Sequence, residues 1–172
     1  MIPVDAQRLS VNRAARFVAA LIAVSLAVGA SGAGGLGRAG AASAPKCPIT
    51  PNGYMDPNYT PNPPVRSHVG GGSFVLTGIV RSGIDCGPLP RVRVEIWHAG
   101  PNGSYDMVHR GTVITDAAGR FRFETDFPGS SFGQPHIHIR VVVGGFKPTA
   151  TAFLPKPDTK AGEIEIVLEP EV

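Results

Sequence analysis

From Ser73 onward the chain is broken by turn signals at intervals of about 8 to 12 residues, which leaves no room for a long helix. Between the turns lie short runs rich in Val, Ile, Phe and Thr. Several alternate apolar with polar residues. Val92, Val94 and Ile96 fall on one side of a run, and Arg93, Glu95 and Trp97 fall on the other. Runs of this kind are expected over residues 74–81, 92–97, 111–115, 120–125, 136–143, 149–154 and 163–168. Gly100, Pro101, Asn102 and Gly103 mark one turn, and Asp116 to Gly119 reads as a hairpin-type turn between two runs. The expectation is an all-β sandwich of about seven to eight antiparallel strands.

Two segments precede this domain. Residues 45–72 carry seven prolines and end in Gly70, Gly71 and Gly72, a composition that forbids long helices and central strands. They are expected to form an extended arm around the domain. Packing against the sheet is the favoured role for Tyr54, Met55 and Tyr59, with a place in a pocket wall as the alternative. Residues 1–44 read as a secretory signal peptide. Arg8, Arg13 and Arg16 precede an apolar run over 17–30, and small residues follow. The run is short for a membrane span. An uncleaved N-terminal anchor is the alternative. The domain proper is expected over 73–172.

The net charge of +3 comes from the leader. Beyond Arg8, Arg13, Arg16, Arg38 and Asp5, 12 basic and 12 acidic residues remain. A basic surface for nucleic acid is therefore not expected, nor stable membrane insertion after leader removal. Oligomeric state is left open. Cys47 and Cys86, the only cysteines, are expected to pair, as suits an exported protein. A metal-binding role for them lacks a Cys-x-x-Cys spacing or a neighbouring His.

Residues 134–143 carry the chemistry. Alternation sends Ile137, Ile139, Val141 and Val143 to one face, and His136, His138 and Arg140 to the other. Two imidazoles side by side form a bidentate metal clip. Two polar residues on a solvated face is the plainer reading.

Three further stretches give the clip a context. GIVRSGIDCGPLPRVRVEIWHAGPNGSYD (78–106), RGTVITDAAGRFRFET (110–125) and PHIHIRV (135–141) follow one another in order. Over about residues 74–155 the chain resembles the intradiol ring-cleavage dioxygenases, the catechol and protocatechuate dioxygenase group. Parts of the first two stretches also occur in non-catalytic sandwich modules of transthyretin-like and carboxypeptidase-regulatory type. The Glu-Ile-Trp, Gly-Ser-Tyr-Asp and Pro-His-Ile-His pieces together are specific to the dioxygenases.

The resemblance implies a mononuclear Fe(III) centre held by two tyrosinates and two histidines. Phenolate oxygen is a hard donor suited to hard ferric iron. The substrate would be a catechol-type diol and O2, and the ring would open between the hydroxyl-bearing carbons. Carried over, the ligands are Tyr105, His136 and His138. The chain departs from the family at three points. Residues 127–133 contain no second tyrosine, Gly133 stands where an arginine is usual, and Ala152 stands where a glutamine is usual. Gln134 is placed to supply one lost polar contact and is counted with Tyr105 as catalytic. Tyr54 or Tyr59 from the arm is the expected replacement for the missing phenol. His98 and His109 are expected outside the ligand set, and Asp106 and Arg110 either anchor the Tyr105 loop or form a surface ion pair. Two functions follow: an exported Fe(III) dioxygenase, or a catalytically impaired binding or structural sandwich of the same descent.

Overall fold

The computed structural model describes residues 47–131 and 133–171. The expected leader lies outside them. Seven strands form: β1 (Phe74–Ser82), β2 (Arg93–Ala99), β3 (Tyr105–Ile114), β4 (Arg120–Thr125), β5 (Ile137–Val141), β6 (Thr149–Phe153) and β7 (Ala161–Leu168). They make a three-stranded sheet in the order β4-β1-β7 and a four-stranded sheet in the order β3-β2-β5-β6. No helix occurs among the described residues.

The alternation read from the sequence sets the packing. Phe74, Leu76 and Val80 of β1, with Phe123 of β4 and Ile166 of β7, face Val94 and Ile96 of β2 and Ile137, Ile139 and Val141 of β5. Burying each such side chain stabilises the fold by about 1.5–3 kcal/mol. Because this face of β5 is committed to the core, its period of two sends His138 and Arg140 to the outer face. There they stand opposite Trp97 and Glu95 of β2.

Neighbouring strands run antiparallel except β1 and β7, which pair in parallel from Val75↔Ala161 to Ser82↔Leu168. The turn at Asp116 forms as expected, with Gly119 N–H donating to Asp116 O at 3.0 Å. It does not close a hairpin, however. β3 and β4 enter different sheets, so the turn is a corner of the sandwich. Its local chemistry is that of a hairpin, and the partner of each strand is chosen by the core.

The arm takes a definite path. Gly53 and Tyr54 N–H groups donate to Ala150 O on the β6 edge. The chain then crosses the outer face of the four-stranded sheet to the opposite edge. There Arg66 N–H donates to Thr112 O and Thr112 N–H to Pro64 O. Val69 and Ser67 go on to bond Glu124 of β4. The arm thus caps edges of both sheets that would otherwise present unpaired backbone groups. Cys47 and Cys86 form the expected disulfide, with 5.7 Å between Cα atoms, and tether the start of the arm beside β1.

Candidate functional site

The outer face of β2 and β5, roofed by the arm, holds a cavity of about 460 Å³. This size suits a small organic ligand. His136, His138, Tyr105 and Asp56 gather at its polar side. Tyr54, Pro57, Ala152 and Leu154 form a mainly apolar wall, and Gln134 also lines it.

Each polar group is placed by its own element. His138 lies on β5 with its ring stacked on Trp97, centroids 4.9 Å apart and planes 9° from parallel. Its Nδ1 is 3.2 Å from the Tyr54 carbonyl. His136 precedes the strand, and its Nδ1 is 2.9 Å from the Gln134 carbonyl. A carbonyl can only accept, so both Nδ1 atoms carry hydrogen, and in the neutral rings both Nε2 atoms present lone pairs. Tyr105 begins β3 opposite Ala99, just past a register shift between Trp97 and Ala99. Such irregularities re-aim a side chain. The Tyr105 loop is also packed against residues 127–131. Gly129 N–H donates to Ala99 O at 3.0 Å, and a Cβ on Gly129 would lie 2.2 Å from Gly100 O. Arg110 holds the same segment through Asp106 O, at 2.8 Å, so Arg110 and Asp106 anchor it through the backbone.

Four atoms converge. The two Nε2 atoms are 2.9 Å apart. Tyr105 Oη lies 3.1 Å from that of His138 and 3.3 Å from that of His136. Asp56 Oδ2 lies 2.9 Å from His138 Nε2, and Tyr105 also hydrogen-bonds the Asp56 carboxylate. With both rings neutral and Nδ1 protonated, the phenol hydroxyl and a long 3.4 Å contact from Trp97 Nε1–H to Asp56 Oδ2 bring the hydrogens to these four. Lone pairs packed this closely call for a cation. The spacing fits one: donors at right angles on metal bonds of about 2.1 Å are about 3.0 Å apart. Among the described residues, no group of three drawn from His, Cys, Asp and Glu alone is arranged to hold an ion. Tyr105 is what turns the histidine pair into a set.

The electrostatics follow from burial. Burial pulls the His138 pKa down, with Asp56 opposing and His136 adding to the fall. Burial, and then the bond to Asp56, push the Tyr105 phenol up. Burial pushes Asp56 up as well, but hydrogen bonds from Asn58 and Tyr105 outweigh it and the net shift is down. A cation at these atoms would reverse the effect on the phenol.

The arm tyrosines do not supply a second phenol to the set. Tyr59 Oη is 2.7 Å from Glu95 Oε2 and 2.9 Å from Arg140 Nη1. Tyr54 contributes its carbonyl to His138, and its ring lines the cavity. Asp56 stands there instead, and nothing in the irregular arm sequence marks it beyond being an acid among prolines. Gln134 reaches the cavity wall, and its backbone oxygen orients His136. No Lys or Arg is found among the described residues that line the cavity. Gly133 adopts a φ of 119°. His98 and His109 lie outside the donor set, in a hydrogen-bonded group of their own.

No family model matches the chain. A chlorocatechol 1,2-dioxygenase of Pseudomonas sp. (strain P51) is 28% identical over 107 residues. The match takes in 46% of this chain and 42% of that protein, so the chain spans less than half the length of this curated relative. Among solved structures, the dioxygenase domain of a dioxygenase carbohydrate-binding protein fusion from Streptomyces sp. SirexAA-E superposes with a TM-score of 0.63 at 24% identity, covering 72% of this chain and all (100%) of that one. An intradiol ring-cleavage dioxygenase from Tetranychus urticae gives 0.62 at 18% identity, over 72% and 96% of the two chains. A 3-chlorocatechol 1,2-dioxygenase from Rhodococcus opacus 1CP gives 0.60 at 17%, over 71% and 73%. The chain resembles the intradiol dioxygenases in sequence and shares their fold.

Proposed function

We propose that the protein is an exported, Fe(III)-dependent intradiol dioxygenase that opens the ring of a catechol-type diol between its two hydroxyl-bearing carbons, using O2. The observation that carries this reading is the convergence of Tyr105 Oη with the Nε2 atoms of His136 and His138, all within 3.3 Å of one another. These three residues would hold the ion. Ferric iron would supply a Lewis acid that binds the diol and activates it toward O2.

The remaining work falls to the chain itself. The carbonyls of Tyr54 and Gln134 fix both imidazoles with Nε2 toward the cavity. The Trp97 ring holds the plane of His138. Tyr54, Pro57 and Leu154 offer an apolar slot for an aromatic ring, which excludes water from beside it. Gln134 is the neutral polar group at the wall and serves to orient the substrate. With no Lys or Arg among the described residues of the lining, and the Asp56 carboxylate present, the slot favours a diol without an anionic substituent. Export fits the expected leader and the Cys47–Cys86 disulfide. The second reading, an impaired sandwich module, is favoured by the absence of a tyrosine from residues 127–133.

The test is a visible spectrum with metal analysis on the purified protein. Iron-loaded protein is expected to be red from phenolate-to-iron charge transfer and to consume O2 with catechol. Tyr105→Phe should abolish the band and lower O2 uptake by about a hundredfold or more. Protein that stays colourless and iron-free after reconstitution would end the enzyme reading in favour of the module.

A further inference from the structure

We infer that Asp56, delivered by the N-terminal arm, is a fourth protein ligand of the metal. This rests on the proposed iron site and adds a carboxylate donor to it. Asp56 is held by two sets of contacts. Its Oδ1 accepts from the backbone N–H and the side-chain amide of Asn58, each at 2.8 Å. That pins one oxygen and fixes the carboxylate plane. Its Oδ2 is turned the other way, 2.9 Å from His138 Nε2 and 3.4 Å from Trp97 Nε1. The side chain is only 7% exposed.

A buried carboxylate is costly unless a positive charge faces it. Among the described residues no Lys or Arg bonds Asp56; its side-chain hydrogen-bond and ion-pair partners there are Asn58, Trp97, Tyr105 and His138. The neutral His138 ring, with Nδ1–H given to the Tyr54 carbonyl, does not supply that charge, because its Nε2 lone pair then meets a carboxylate oxygen. An ion bound between them satisfies both. Asp56 touches His138 and Tyr105 and has no hydrogen bond to His136. It therefore approaches from one side a set that Tyr105 and the two histidines already define. Oxygen of a carboxylate is a hard anionic donor, like the phenolate that residues 127–133 lack.

The arm is built to deliver it. Gly53 and Tyr54 are fastened to Ala150 just before it. Tyr59 N–H donates to Asp56 O just after it, at 2.9 Å, and the Tyr59 hydroxyl is fastened to Glu95. These ties hold the backbone on both sides of one acidic residue over the cavity.

The experiment measures ferric iron affinity and the visible band of the full-length protein and of Asp56→Asn, which keeps the size of the side chain and removes its charge. The variant is expected to bind iron about 10- to 100-fold more weakly. Its band should move to longer wavelength, because an ion that loses an anionic donor draws charge from the phenolate more readily. Asp56→Glu should recover much of both. Wild-type affinity and an unmoved band in Asp56→Asn would overturn the inference and leave the iron reading standing. Wild-type protein that takes up no iron would overturn that reading and the inference with it. Should Asp56→Asn fail to fold, the crystal structure of the iron-loaded wild-type protein decides. A carboxylate oxygen bonded to the metal supports the assignment, and one left on His138 and Trp97 overturns it.

Discussion

Two histidine pairs sit in this sandwich. The rings of His136 and His138 are 4.6 Å apart between centroids, and those of His98 and His109 are 5.1 Å apart. Both pairs have carboxylates beside them, and at both the arm makes contact. They differ in how their polar atoms are matched. In the second pair each ring nitrogen has an oxygen partner of its own. His98 Nδ1 is 2.7 Å from Ala99 O, and its Nε2 is 2.6 Å from the Thr125 hydroxyl. His109 Nδ1 faces Asp106 and its Nε2 faces Asp126. In the first pair both Nε2 atoms face other acceptors with one hydroxyl hydrogen to share. A satisfied polar cluster stabilises a fold, and an unsatisfied one is held in place by the fold to bind something. The residue types hardly differ; in one pair each ring nitrogen has its own oxygen, and in the other the two Nε2 atoms face each other.

The contrast can be broken by releasing the arm. Cys47→Ser or Cys86→Ser opens a loop with a sequence separation of 39. Chain entropy predicts a loss of about 4 kcal/mol. The loss should appear in urea unfolding of the protein in chelator. Iron affinity should also weaken, because Asp56 lies nine residues beyond Cys47 and depends on the arm for its place. An unchanged affinity in the serine variants would mean that the bonds of Gly53, Tyr54 and Tyr59 suffice without the disulfide.

The His98 side gives a pH signature. Burial draws the pKa of His98 down to about 4, with the nearby His109 adding to the fall and Asp126 and Asp106 opposing it. The folded value lies below the unfolded one, so the unfolded chain binds the extra proton. The contribution to stability is therefore full above about pH 6.5 and is lost as pH falls toward 4. The shift corresponds to about 3 kcal/mol. His98→Gln should be less stable at neutral pH and should lack this component of the slope between pH 6.5 and 4, while its iron-loaded band stays where it is. A parallel slope in both proteins would assign the acid sensitivity elsewhere, with His138 the next group shifted in the same direction.

These regions were not equally legible in the sequence. Alternation placed Ile137, Ile139 and Val141 in the core and His138 opposite them, because a strand with one buried face has a single workable register. The cysteine pair was legible because there are only two. The corner at Asp116 to Gly119 was not, since turn chemistry is local and the choice of sheet is made by distant core contacts. The parallel β1–β7 pairing is long-range for the same reason. Within the site, Tyr105, His136 and His138 were marked by their motifs. Asp56 was not, because the arm has no period, and what makes the residue matter is the path of the chain across β5 and β2. His98 was expected outside the ligand set. It is fully buried, next to the register shift in β2.

The smallest effect is expected at the clasp between the arm and the His98–His109 group. Asp126 Oδ1 accepts from Gly71 N–H at 2.8 Å, and its Oδ2 lies 3.0 Å from His109 Nε2. A Cβ on Gly70 would stand 2.1 Å from this carboxylate, so glycine at that position, with its φ of 58°, is what allows the arm to come so close. Burial pushes the Asp126 pKa up, but the bonds from Gly71 and His109 outweigh it and the net shift is down. Its contribution is therefore present above the ordinary carboxylate range and lost as pH falls through it. Asp126→Asn keeps the shape and removes the charge. The expected cost at neutral pH is about 1–3 kcal/mol, shrinking below about pH 4 as the wild-type carboxylate protonates. Iron affinity should stay at the wild-type value, since the clasp holds residues 70–71 and Asp56 is fastened separately through Gly53, Tyr54 and Tyr59. Equal weakening of iron binding in Asp126→Asn and Asp56→Asn would show that the two histidine pairs are joined through the arm, and that the difference between them is one of degree.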